Sequence, residues 1–189
     1  MNAEALRGGF GDAPVEAAYA FRAAMNAMAR PGTVETLKGA QPPAPVSVAA
    51  GTLLLTLCDP DTPLHLAGDY DCDAVQAWIS FHIGARIVAP ENAMFALGTW
   101  DALAPLSRFA IGTAEYPDRS ATLIVERERL EQGGMTLFGP GIKDSTTMVL
   151  PESKAFQMNA MLFPLGLDFF FTSGDQLAAL PRTTKVEAA

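Results

Sequence analysis

Histidine, cysteine and lysine are scarce in this chain, and each shortage removes a kind of chemistry. There are two histidines, His65 and His82, and two cysteines, Cys58 and Cys72, in 189 residues. Imidazole and thiolate supply most transition-metal sites, and with no CxxC pair and no HExxH the ligand count predicts no metal centre. Two cysteines outside any CxxC pattern fit free thiols in a reducing cytoplasm better than a disulfide framework. GxxxxGK[ST], GxGxxG and GxSxG are missing too, which removes support for P-loop nucleotide hydrolysis and α/β-hydrolase chemistry. No apolar run reaches the roughly 20 residues of a membrane span. The least polar stretch, 44–58, is interrupted by Ser47, Gly51, Thr52 and Thr56. The N-terminus carries an early Glu4 and no apolar core of a signal peptide. Positive charge is short as well: 13 Lys and Arg against 21 Asp and Glu leave a net charge of −8. Such a surface repels nucleic-acid phosphates and anionic lipid, so neither partner is expected. Most of the basic residues are arginine, which suits bidentate contact with a carboxylate or phosphate in a local pocket.

What is present is a chain that is 49% hydrophobic, enough for a packed core in a single domain over 1–189. Residues 1–11 read as a loose N-terminal tail and 181–189 as an extended C-terminal one. Asp12 and Pro14 open a helix in which Val15, Ala18, Arg22, Met25 and Ala29 recur at helical spacing. Pro31 and Gly32 end it. Ser47–Leu57 is long and Ala-rich enough for a buried helix, with a strand as the alternative. Asp71 or Asp73 caps a helix reaching Ile83, stopped by Gly84. Strands are expected at Leu64–Ala67, Arg86–Val88, Met94–Leu97 and Leu167–Thr172, with a hairpin from Ala121 to Phe138 turning at Gly133 and Gly134. Helices are expected at Trp100–Phe109, Glu152–Leu162 and Asp175–Leu180. Helices and strands interleave throughout, which predicts an α/β sheet with helices on its faces, made mixed by that hairpin.

Four constellations could carry chemistry. Arg22 shares a helix face with Met25 and Ala29, and Arg30 follows. These guanidiniums either contact an anion or snorkel from an apolar face. Asp59 and Asp61 flank Pro60; converging carboxylates shift each other's pKa, but such residues also shape turns through their own backbone. Gly139 and Gly141 flank Pro140 and can present successive N–H groups to an anion, or simply lead the chain out of a strand. Asp168 opens an apolar strand and needs a partner, for which Arg182 is the candidate. His82 lies at i+7 from Val75, sharing a face with Trp78 and Ile79. It is either a proton-handling residue or a packing histidine that anchors its helix against the sheet.

Seven segments in order, "GGF…FRAAMNAMARPG", "LLLTLCDPDTPL", "WISFHIGAR", "FALG", "LFGPGI", "FPLGLDFFF" and "LPRTTKV", resemble the H subunit of the bacterial carbon–phosphorus lyase system, the PhnH family, from about Gly9 to Val186. The resemblance implies a cytoplasmic homodimer that assembles with the G, I and J subunits. It implies a part in synthesis of ribose 1-methylphosphonate 5-triphosphate from ATP and a phosphonate, with adenine displaced. A non-catalytic scaffold in the same complex is the alternative. It also implies a three-layer α/β/α sandwich with a mixed, mostly parallel sheet, resembling the large domain of pyridoxal-phosphate-dependent transferases. None of the four lysines, Lys38, Lys143, Lys154 and Lys185, follows an obvious strand in an apolar pocket, so no pyridoxal phosphate is expected. Within such a complex, Arg22, Arg30 and Arg182 are the candidate anion contacts, with Gly139 and Gly141 beside them. Asp59, His82 and Asp168 are the candidate orienting or proton-handling groups for a phosphonate or nucleotide.

Overall fold

In the computed structural model, which describes residues 7–188, a six-stranded sheet runs through the molecule in the order β1-β8-β7-β4-β3-β2. The strands are β1 (Glu35–Thr36), β2 (Leu64–Leu66), β3 (Phe95–Thr99), β4 (Thr122–Glu126), β7 (Asp168–Ser173) and β8 (Gln176–Leu180). β2, β3, β4 and β7 are parallel, with Leu64, Phe95, Thr122 and Asp168 in one row. β8 pairs antiparallel with β7, and the edge strand β1 pairs antiparallel with β8. A second, antiparallel sheet has the order β6-β5-β9, from β5 (Met135–Phe138), β6 (Thr146–Met148) and β9 (Lys185–Glu187).

Alternation along the parallel strands divides the core. Leu97, Ile124 and Phe170 face the layer of α1 (Ala13–Ala29), α2 (Val48–Leu57) and α3 (Asp73–His82). Ala96, Leu123, Val125, Phe169 and Phe171 face α4 (Trp100–Leu103), α5 (Ser153–Met161) and the small sheet. These strands are apolar on both sides, as a sheet covered on both faces requires.

Several sequence expectations change. The 121–138 segment is no hairpin, since β4 and β5 lie in different sheets. The antiparallel character of the large sheet comes from β8 and β1 instead. Residues 176–180 form a strand, not a helix. Gly174 (φ +58°) turns the chain into a hairpin with β7, and Ala178 and Ala179 are wholly buried there. Arg86–Val88 contributes one bridge, Ile87 to Leu64, rather than a strand. The helix expected over 100–109 stops at Leu103, with Ala104 extended ahead of Pro105. The C-terminal segment is extended but not a free tail, because β9 pairs with β5 and buries Val186. Met1–Leu6 of the expected N-terminal tail lie outside the described residues. The part from Arg7 to Gly11 is tied down: Gly8 accepts from the Gln41 N–H, and Glu16 accepts from the N–H groups of Gly11 and Asp12. Asp12 and Cys72, not Asp71 or Asp73, occupy the N-cap positions of α1 and α3, and neither caps with its side chain. Gly84 (φ +74°) ends α3 by donating to Ile79 O, a turn that needs a left-handed residue.

The helix face read from α1's apolar spacing also moves. Ala20, Ala24 and Ala27 are buried against α2 and β8, while Val15, Tyr19 and Met25 point outward. Small side chains let the helix approach its neighbours closely, and the bulkier residues fall on the other side.

Candidate functional site

Asp168 is placed by the start of β7, and its apolar neighbours leave the carboxylate needing a partner. Arg182 supplies it. Nε lies 3.2 Å from both carboxylate oxygens, Nη2 lies 2.5 Å from Oδ2, and the Arg182 backbone N–H donates to Oδ1 at 2.8 Å. The same guanidinium donates to Pro117 O and to Ser120 Oγ. The two side chains are only 12% and 23% exposed. This bidentate pair ties together three stretches of chain, and the guanidinium is already occupied by acceptors.

Asp59 precedes β2 on the same N-terminal edge of the parallel strands. Three strand spacings of about 4.8 Å separate β2 from β7. Its Oδ1 accepts from Asp61 N (2.9 Å) and Thr62 Oγ1 (2.7 Å), the hydrogen bonding of a turn. The turn is therefore the role this geometry displays for Asp59 and Asp61.

His82 is half-buried at the end of α3. Nε2 donates to Arg7 O at 3.1 Å, and the ring packs on Trp78 (5.2 Å) and edge-on to Phe81 (4.8 Å). It therefore fixes the N-terminal segment to α3 rather than the helix to the sheet, because Val75, Trp78 and Ile79 fill the sheet-facing stripe. His65 donates through Nδ1 to Val88 O. Both imidazoles thus serve backbone carbonyls.

Arg22 and Arg30 are exposed, and among the described residues neither joins an ion pair. The Gly139–Gly141 turn lies between the end of α1 and residues 183–184. At Gly141 a Cβ would sit 1.8 Å from Ala29 O. The Ala29 carbonyl packed against this turn repels an anion, and the turn uses one of its N–H groups internally, from Ile142 to Gly139 O. Arg30 and this turn are thus neighbours, and the Asp59–Pro60 turn packs against Gly84 just beyond His82, while the Asp168–Arg182 pair is engaged with residues 117–120 instead.

Two groups escaped sequence reasoning. Glu126 ends β4 at the opposite, C-terminal edge of the strands and is almost fully buried. Its Oε1 accepts from the Ser47 N–H at 2.8 Å, joining the strand to the start of α2, where Ser47 Oγ caps Ala50 N. Burial pushes its carboxyl pKa up, opposed by the Ser47 hydrogen bonds. Tyr70, also buried, is pushed up to about 12 by burial, then by the charges of Glu126 and Asp69. A cavity of about 530 Å³ opens beside this edge, lined by Thr99, Trp100, Glu126, Arg127 and Arg129 among others. The one available signal was an acid ending the apolar run Leu123–Val125. On the opposite side of the chemistry, burial pushes the Cys58 thiol up to about 12, reinforced by Asp59. Both cysteines are free. Among the described residues no three His, Cys, Asp or Glu side chains gather as metal ligands, and no helix is long and apolar enough to cross a membrane. All four lysines are exposed.

Comparison with known proteins supplies what this geometry leaves open. Residues 8–187 match the family model described as bacterial phosphonate metabolism protein (PhnH). The chain is 42% identical to the alpha-D-ribose 1-methylphosphonate 5-triphosphate synthase subunit PhnH of Rhizobium meliloti (strain 1021), over 95% of this chain and 94% of that one. It is 30% identical to a candidate C-P lyase subunit protein, HtxG, of Stutzerimonas stutzeri, over 94% of each chain. The segments holding Arg22, Asp59, His82, Asp168 and Arg182 all fall inside the matched span, and the chain belongs to the PhnH family of bacterial phosphonate metabolism proteins.

Proposed function

We propose that this chain is a cytoplasmic subunit of an alpha-D-ribose 1-methylphosphonate 5-triphosphate synthase, acting as a homodimer with the G, I and J subunits of a carbon–phosphorus lyase complex. In that role it contributes to the step in which a phosphonate displaces adenine from ATP. The observation that carries this reading is the 42% identity, spread over 95% of the chain, to a subunit so named. Arg22 and Arg30 are the guanidiniums available to an anion. Arg182 acts by holding Asp168, which keeps the ends of β7 and β8 in place. Asp59 and His82 shape and tie down the segments around them. The mixed sheet with layers on both faces is compatible with a likeness to the large domain of pyridoxal-phosphate-dependent transferases. A Schiff-base lysine needs a desolvated site that lowers its pKa, and four exposed lysines do not fit that requirement. The chain is therefore proposed to work without pyridoxal phosphate, and a borohydride-trapped adduct at one lysine would overturn this.

A non-catalytic scaffold role in the same complex is the second reading. It is favoured by the scatter of the candidate residues and by two histidines engaged with backbone carbonyls. The transfer reaction reconstituted with and without this chain, followed by phosphorus NMR, separates the two. Product formation at an undiminished rate without it removes the catalytic role.

A further inference from the structure

The outward face of α1 is apolar and uncovered. Val15 is 48% exposed, Tyr19 72%, Phe21 49% and Met25 56%, with Ala18 and Ala29 exposed among them. At 100° per residue, positions 15, 18, 19, 22, 25, 26 and 29 form one stripe about 20 Å long, polar only at Arg22 and the half-buried Asn26, with Phe21 at its edge. The opposite face is already spent on α2 and β8 through Ala20, Ala24 and Ala27. A helix apolar on both sides belongs between two layers, and among the described residues only one is present. Contiguous exposed apolar surface of this kind marks an interaction site.

Charge narrows the occupant. The stripe's single charged residue is Arg22, with Arg30 at the helix end. Among the described residues neither is ion-paired. Glu16 is turned back onto the N–H groups of Gly11 and Asp12. The face is thus apolar and basic on a chain of net charge −8. A second copy fits poorly. In a two-fold antiparallel pairing centred on the stripe, Val15 meets Ala29 and Arg22 meets its own symmetry mate, which buries two like charges together. A bilayer fits poorly as well, since an interfacial helix flanks its apolar face with many basic residues. A protein surface offering apolar side chains and a carboxylate fits both features, because Arg pairs bidentately with carboxylate.

We propose that the outward face of α1 docks another subunit of the synthase complex, whose apolar side chains cover Tyr19 and Met25 and whose carboxylate meets Arg22. This rests on the subunit reading above and names the chemistry of the contact. The test is co-expression with the other synthase subunits, followed by affinity measurements on wild type, Arg22→Glu, Arg22→Lys and Met25→Asp. Thermal melting checks that each isolated variant folds. Arg22→Glu and Met25→Asp are expected to weaken assembly at least tenfold, Arg22→Lys less, and wild-type affinity falls as salt rises. A photo-cross-linker at Met25 captures one of those subunits, and one at Glu91, exposed in the 90–92 turn ahead of β3 and across the sheet from β8, does not. Wild-type assembly by both variants overturns the proposal. So does loss of the chain's own dimer mass with subunit binding intact, which assigns the face to a second copy. Variant-sensitive sedimentation with phosphatidylcholine–phosphatidylglycerol vesicles, with subunit binding intact, overturns it in favour of a membrane. If wild type itself joins no subunit, the subunit reading falls along with this one; if all variants join equally, this one falls alone.

Discussion

At the scale of single residues, the Asp168–Arg182 pair and Glu126 show two ways a fold handles buried charge. Asp168 is fully matched, so removing it strands a guanidinium that also holds Pro117 and Ser120. Asp168→Ala is expected to cost about 3 kcal/mol in urea unfolding; a loss under about 0.5 kcal/mol would mean that the pair is loosely solvated. Glu126 is the reverse case. Burial holds its folded pKa above the ordinary 4.5, so the folded chain binds its proton more tightly than the unfolded chain. Stability is then greatest below the unfolded pKa, declines as pH rises through the folded pKa, and is flat above it. Glu126→Gln keeps an acceptor for the Ser47 N–H and never ionises. Its stability relative to wild type is expected to rise across that window, measured by denaturant melts from pH 3 to 8. Parallel curves for the two proteins sink the assignment. Cys58, with its thiol pushed up to about 12, is expected to resist iodoacetamide in the native protein and react only on unfolding. The ion pair was legible because an acid at a strand mouth demands a partner. Glu126 was not, because its burial depends on where α2 begins, which is a tertiary fact.

At the scale of elements, glycines separate what packing demands from what a turn merely allows. Gly141 (φ +82°) leaves no room for a Cβ against Ala29 O, whereas Gly174 (φ +58°) meets nothing within 4 Å. Gly141→Ala is therefore expected to destabilise by more than about 2 kcal/mol, since strain and collision add. Gly174→Asn is expected to change little, because Asn tolerates the left-handed turn. Comparable melting-temperature losses in the two variants would contradict this. The long elements α1, α2, α3 and α5 were readable from period and length. β8 was not: Leu177–Leu180 is Ala-rich like a helix, and only its place between β7 and the close face of α1 makes small side chains the right filling for a strand. The bridge at Ile87 was likewise invisible as a lone contact, since Ile87 and Val88 are both β-branched and suggested a short strand over Arg86–Val88.

At the scale of the whole molecule, β9 determines whether the small sheet exists as three strands. Truncation after Pro181 removes β9, uncovers Leu137 and α5, and also deletes Arg182. The shortened chain is expected to bind the apolar dye ANS and to lose cooperative melting; an unchanged melt would show that β9 is dispensable. The family was legible in seven ordered segments, while the grouping of their polar residues was not, because order along a chain leaves open which ends of which strands they reach. The closure of α1 onto β8 has a consequence for how the protein is made. Their contacting residues lie some 150 positions apart. During vectorial synthesis on the ribosome, α1 emerges long before its partner strand exists. Through most of translation the part of its inner face that meets β8 is bare along with the outer face, which makes the nascent chain a client for chaperones that bind short apolar segments.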